Sequence, residues 1–385
     1  MFTPFRFDQV SLPPTAAALR QRVRTFLDAR KDRWSPWLKG HSWTGFDREF
    51  SREVGREGWI GMTWPRIYGG GEFSMLERYV VIEEMLAVGA PVGAHWIADR
   101  QSGPLLLRVG TDRQKDRYLK GITTGDIAFC IGLSEPDSGS DLASVRTRAE
   151  KVAGGWKING RKIWTTNAHL SEFMIALVRT SGTVADRQAG LSQFIVDLGA
   201  PGVEVREIKD LTTEAHFNEV TFDDVFVDDD ALVGNEGKGW EQVNAELAFE
   251  RSGPDRYMSA FPILPLVIDR VGATGLQDGL AARRLGAAFA DFAVLREMSV
   301  SIAGMLEAGE TPNQEAAVVK ELGVAFEQGT PELVRELTGG FAADGRDDAL
   351  GQISSAVQQL APTFSLRGGT REIIRGIMAR GLGLR

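Results

Sequence analysis

The sequence predicts an α+β protein built from a helical N-terminal domain (1–126), a central antiparallel β domain (127–233) and a helical C-terminal domain (234–385). Two changes of period carry that prediction. Apolar residues recur three and four apart up to about Asp126, every second residue between about Ala128 and Val233, and at helical spacing again from about Trp240. A third observation narrows it: no strand leads into a glycine-rich loop and helix, so a doubly wound nucleotide-binding fold is not expected.

The first part shows helical stripes over Leu19 to Leu27 and Leu76 to Leu86. Between them Thr63-Trp-Pro-Arg-Ile-Tyr-Gly-Gly-Gly71 is a connector, and Ser74 with Glu77 three residues on forms a capping-box start for the next helix. In the middle part, Trp156 to Trp164, Phe173 to Val178, Phe194 to Asp197, Val203 to Ile208 and Val220 to Val227 alternate as strands. Gly154-Gly155, Asn159-Gly160 and Ala200-Pro-Gly202 are expected to turn the chain between strands. In the last part, loops are expected at Gly309 to Pro312 and around Ala342 to Arg346.

Composition removes several classes of function. With 43% apolar and 25% charged residues the chain can bury a large core, and a net charge of -8 argues against binding a phosphate backbone. No nucleic-acid partner is expected. The single cysteine, Cys130, leaves no intrachain disulfide framework, and the four histidines show no zinc-ligand spacing. There is no basic-then-apolar leader pattern and no run of about 18 apolar residues, so a cytoplasmic protein with no membrane association is expected.

Chemistry concentrates in a few segments: Ile131-Gly-Leu-Ser-Glu-Pro-Asp-Ser-Gly-Ser-Asp141, Asn159-Gly-Arg-Lys-Ile-Trp-Thr-Thr-Asn167, Asn218 to Val227 and Gly368-Gly-Thr-Arg-Glu-Ile-Ile-Arg375, with Gly110 to Leu119 before them. Singly they read as ordinary structure: Trp164 as a packed strand aromatic, Ser134-Glu-Pro as a turn, Gly139-Ser-Asp as a loop. As an ordered set the chain resembles the acyl-CoA dehydrogenase family, whose architecture is an N-terminal helical domain, a central β domain and a C-terminal four-helix bundle. The resemblance implies FAD as cofactor, an acyl-CoA substrate, a homo- or heterotetramer and electron transfer to an electron-transfer flavoprotein. It implies flavin contacts at Ile131, Leu133, Ser134, Trp164 and Thr166, where an aromatic wall and short hydroxyls suit an isoalloxazine ring. It places Ser140 near the cofactor phosphates and the acyl-CoA, and Thr370 and Glu372 on the FAD adenosine side. Glu372 replaces the family's usual glutamine and, when ionised, accepts but does not donate. Two segments that often reach a neighbouring subunit's flavin are altered here, at Ala281 to Asp291 and at Leu337 to Gly345.

The family reaction removes an α proton from an acyl thioester with a carboxylate while the β hydrogen passes as hydride to flavin N5. The carboxylate usually found just before the Gly-Thr is replaced by Gly368. In isovaleryl, long-chain and steroid side-chain types the catalytic glutamate instead lies on the first helix of the C-terminal domain before an arginine, a pattern that Glu250-Arg251 matches. Glu250 is the candidate base, Glu246 one turn earlier its rival, and Arg251 a supporting charge. Gly368 retains the backbone N–H that polarises the thioester carbonyl in the family. Two other readings share the fold: a subunit of a mixed heterotetramer with partial or no activity alone, and an oxygen-using flavin relative.

Overall fold

The computed structural model describes residues 5–250, 253–273, 279–338 and 348–384, with side chains omitted at 247–250. In chain order the elements are α1 (Pro14–Asp28), α2 (Pro36–His41), α3 (Arg48–Arg56), α4 (Met75–Ala87), α5 (Gly93–Ile97), α6 (Gly103–Val109) and α7 (Asp112–Thr123), then β1 (Phe129–Gly132), β2 (Arg148–Val152), β3 (Gly155–Thr166), β4 (Phe173–Arg179), β5 (Leu191–Asp197), β6 (Val203–Ile208), β7 (Phe217–Asp228) and β8 (Leu232–Val233), and finally α8 (Gly239–Glu250), α9 (Ile263–Ala273), α10 (Gly279–Glu307), α11 (Asn313–Thr338), α12 (Ala349–Phe364) and α13 (Arg371–Gly381). The helix–sheet–helix order follows the periods of the sequence. Contacts group the chain into two compact units, one of 1–45, 73–91 and 250–385, the other of 46–72 and 92–249.

The second unit holds the sheet, ordered β6-β7-β3-β2-β4-β5-β8 with β1 on β4. It is antiparallel except that β1 and β2 both run parallel to β4, a departure from the purely antiparallel domain expected. Parallel neighbours need a long crossover, and here the turn after β1 and the β2–β3 hairpin supply the intervening chain. Trp156, Ile158, Phe194, Val220, Phe222 and Val225 face one core. Gly154 lies in the β2–β3 turn as expected. Asn159-Gly160 does not turn the chain; it lies inside β3. The Asn159 side chain pairs both ways with Asp224 (2.9 and 2.8 Å), and a Cβ on Gly160 would come within 2.5 Å of the Thr147 hydroxyl. The short residues serve a close strand approach, not a hairpin.

In the first unit, α1 buries Ala16, Leu19, Val23, Phe26 and Leu27, the helical stripe read from the sequence. Helix α4 opens with the expected capping box, Glu77 N–H donating to Ser74 Oγ at 3.1 Å and Ser74 N–H to Glu77 Oε2 at 2.9 Å. Helices α9 to α12 contribute the bundle core through Ile263, Val267, Leu285, Leu333, Val357 and Phe364. The break at Gly309 to Pro312 falls between α10 and α11, while Ala342 to Arg346 lies outside the described residues. Among the described residues no helix is long and apolar enough to cross a membrane.

Helix α2 meets α12 at Gly40, where a Cβ would come within 2.6 Å of the Ala356 Cβ and 3.2 Å of the Ile353 carbonyl. Gly40→Ala is therefore expected to lower stability by about 1–3 kcal/mol through overpacking. Thermal unfolding followed by circular dichroism checks this; an unchanged melting temperature would show that the helices separate at little cost.

Candidate functional site

In the sheet unit the sequence-predicted residues gather at the ends of β1 and β3. The turn after β1 places Leu133 and Ser134, both half-buried, beside β3: the Ser134 carbonyl accepts from Ile163 N–H at 2.9 Å. Beneath the turn is an ion pair that the sequence did not signal. Lys162 is fully buried, and its Nζ donates to Glu135 Oε1 at 2.7 Å and to the Leu133 carbonyl at 3.1 Å. Glu135 also accepts from the N–H groups of Arg146 (2.6 Å) and Thr147 (2.9 Å). Burial alone would raise the Glu135 carboxyl, but the Lys162 charge and the N–H donors outweigh it and hold it below its ordinary value. Burial pushes the Lys162 ammonium down to about 8, against the pull of Glu135.

Directly after Lys162 the register of β3 against β7 slips: Lys162 faces Val220 but Thr165 faces Asn218, so β3 carries one extra residue. Without the slip, Trp164 would share a face with Trp156, Ile158 and Lys162, all buried. With it, Thr165 turns inward and Trp164 stands 56% exposed at φ 60°. Left-handed backbone at a bulky residue costs on the order of 1 kcal/mol or more. Phe217 braces the indole edge-on, with ring centres 5.8 Å apart. Thr166 ends β3 half-buried opposite Phe217, and Ile131 is half-buried within β1. Ser140 is exposed at the far end of the turn, where Asp141 is clamped by Arg187 and by Ser144 Oγ, contacts that hold its carboxyl near 2.

Helix α8 packs on the same sheet. A Cβ on Gly239 would meet the Ser192 backbone at 2.8 Å, and Gln242 Nε2 donates to the Val233 carbonyl at 2.9 Å. One turn on, Glu246 is buried and accepts from Gln193 Nε2 at 2.9 Å. Glu250 closes the helix backbone, with its side chain outside the described set; Arg251 lies outside the described residues.

In the bundle unit Gly368 and Gly369 both take left-handed backbone, φ 65° and 99°. Thr370 is the N-cap of α13, its Oγ accepting from Ile373 N–H at 3.5 Å. Glu372 is exposed in the first turn of that helix, and its own backbone N–H and the Thr370 hydroxyl hold its carboxyl below the ordinary value, so it is an acceptor at neutral pH. Among the described residues no cluster of metal-ligating side chains occurs.

Two family models cover the chain from α1 into β7, near the end of the sheet. Residues 13–126 match the acyl-CoA dehydrogenase N-terminal domain and residues 130–225 the acyl-CoA dehydrogenase middle domain. The chain is 35% identical over 345 residues to acyl-CoA dehydrogenase IpdE1 of Mycobacterium tuberculosis, covering 88% of each chain. Among solved structures, the Tcur3481-Tcur3483 steroid ACAD superposes at a TM-score of 0.87 with 27% identity, over 98% of this chain and 100% of that one. The ChsE4-ChsE5 complex from Mycobacterium tuberculosis gives 0.85 with 26% identity, over 98% and 100%.

The Glu135–Lys162 pair had one legible sign: Lys162 shares its parity in β3 with apolar Trp156 and Ile158, and a lysine on a buried face needs a carboxylate. Glu135→Gln is expected to lower stability at pH 7 by about 3 kcal/mol or more, because a buried ammonium loses its counter-charge. The folded carboxyl titrates below its unfolded value near 4.5, so its stabilisation is present above that pH and lost as pH falls through the folded value. The gap in melting temperature between parent and variant should therefore be widest near neutrality and shrink below about pH 4.5. A gap independent of pH would show that the carboxylate charge contributes nothing.

Proposed function

The chain belongs to the acyl-CoA dehydrogenase family of oxidoreductases, and on that premise we propose that it is an FAD-dependent enzyme that desaturates an acyl-CoA thioester between its α and β carbons. The observation that carries the reading is Trp164: a strand aromatic is turned outward by a bulge into left-handed backbone and left more than half exposed. The edge-on contact with Phe217 returns only part of that strain and leaves the indole face open, where a flat ligand can lie. Ser134 and Thr166 add short polar groups at the same strand ends, so the residues present fit a flavin ring. Bound FAD supplies the acceptor for the β hydrogen as hydride.

The remaining tasks fall to the chain's own groups. Glu250 is the base that takes the α proton. Its rival Glu246 is buried against the sheet and engaged by Gln193, which suits an anchor for α8. Arg251 follows Glu250 as a supporting charge, and Gly368 contributes backbone polarity to the thioester carbonyl. Ser140, exposed on its braced turn, suits the anionic part of the acyl-CoA or cofactor, and Thr370 and Glu372 the adenosine side of FAD. Ile131 and Leu133 complete the apolar side of the ring.

A mixed assembly is the second reading, and two observations favour it: Gly368 stands where the usual carboxylate is missing, and two similar structures, the Tcur3481-Tcur3483 steroid ACAD and the ChsE4-ChsE5 complex, are of paired chains. We propose a bulky or branched acyl-CoA as substrate, a homo- or heterotetramer as the working form, and an electron-transfer flavoprotein as electron acceptor.

Anaerobic visible spectra with short, branched, long and steroid acyl-CoAs test the reading. Flavin bleached by one of them, with Glu250→Gln slowing bleaching about 100-fold or more, is the expected result. Flavin retained only with a co-expressed partner chain would establish the mixed assembly; flavin indifferent to every thioester would overturn the dehydrogenase reading in favour of an oxygen-using relative. Trp164→Gly should weaken flavin retention roughly tenfold while leaving the melting temperature of the flavin-free protein unchanged or higher, since glycine relieves the left-handed strain. Unchanged flavin affinity would remove Trp164 from the cofactor wall.

A further inference from the structure

The bundle unit buries three charges around the Gly368–Gly369 turn, Lys320 and Glu327 on one face of α11 and Arg367 at the turn itself. Lys320 and Glu327 lie seven residues apart on α11, hence nearly in line along one face. Lys320 is buried, and its Nζ donates to the Gly369 carbonyl. Glu327 is fully buried; its Oε1 accepts from Ser259 N–H at 2.8 Å and its Oε2 from Arg367 Nη2 at 2.6 Å. The same Arg367 nitrogen also donates to the Asp255 carbonyl at 2.9 Å and to Ser259 Oγ at 3.0 Å. Its guanidinium lies 5.2 Å from the Trp43 ring centre and 4.7 Å from that of Phe364, and only 9% of the side chain is exposed. The turn is thus gripped from both sides, at Arg367 just before Gly368 and at the carbonyl of Gly369 just after it. Beyond it Arg371 and Arg375 reach Glu321, also on α11.

Burying a lysine and an arginine–glutamate pair carries a large desolvation cost, and apolar residues of similar size would hold a helix end at least as well. What apolar packing does not provide is a directional hold on a peptide group. Two successive left-handed glycines can rotate their peptide planes through a wide range, so a backbone dipole there is aimed only if something fixes it.

We propose that Lys320 and the Glu327–Arg367 pair are positioning residues for the dehydrogenation, holding the Gly368–Gly369 turn so that its backbone polarises the thioester carbonyl. They touch neither substrate nor cofactor in this role; they act through the turn. The proposal rests on the reading of Gly368 given above, and the two can fail separately.

The test uses the flavin-loaded protein and a 3-arylacryloyl-CoA, an enoyl thioester whose absorption moves to longer wavelength when its carbonyl is polarised. The parent should show that red shift on binding. Lys320→Met should lose at least half of it and lower kcat by about tenfold to a hundredfold, with KM changed less than about threefold. Arg367→Lys, which keeps the charge but replaces a planar fork with a point donor, should give an intermediate red shift, and it carries the test alone if Lys320→Met does not fold. A full red shift with unchanged kcat in the variants that fold overturns the positioning role and leaves the reading of Gly368 intact. No red shift in the parent overturns that reading and the proposal with it.

Discussion

The sheet unit's candidate site depends on a single buried ion pair. Glu135 collects N–H donors from the chain entering β2 and an ammonium from β3, and that ammonium also holds the Leu133 carbonyl. Three segments remote in sequence are thereby fixed to one carboxylate. An apolar pair of the same volume could fill this space with equal or greater stability, but it would leave the Arg146 and Thr147 N–H groups without their acceptor and the turn free to rotate. The pair is better understood as specifying the geometry of Leu133 and Ser134 than as a source of net stability.

Its second consequence is the register of β3. Lys162, committed to the interior by Glu135, is the last residue before the slip; the extra residue that follows exchanges the faces of Trp164 and Thr165. Sequence periodicity identified the strand and could not show this. Alternation read straight through β3 puts Trp164 beside Trp156 and Ile158, as a packed aromatic, and only pairing with β7 reveals the insertion. Asn159-Gly160 was opaque for a related reason, since the same dipeptide suits a hairpin turn or a close approach between neighbouring segments, and local sequence carries no record of Thr147 and Asp224 across the way. The α1 stripe and the Ser74–Glu77 box were legible because each is complete within a few residues. The helical bundle was legible as helices, but the partners of Lys320, Glu327 and Arg367 lie tens of residues away from them, and buried charges at helical spacing look like a solvated face.

The glycine at 368 belongs in the same physical frame. At φ 65° a side chain there would sit in left-handed backbone, at a cost on the order of 1–2 kcal/mol. A turn that carried the base would have to meet that cost or adopt another conformation; a turn that contributes only backbone is free to take it. Two left-handed glycines in succession, gripped on either side from α11, form an arrangement in which peptide groups are aimed and no side chain is presented. On the proposed reading the base lies on α8, and a helix is a stiffer mount for a carboxylate than a loop. Helix α8 has that stiffness because Gln242 and Glu246 tie it to the sheet. The glycine at 368 and the anchoring of α8 each fit the proposed assignment of the base to a helix rather than to the loop.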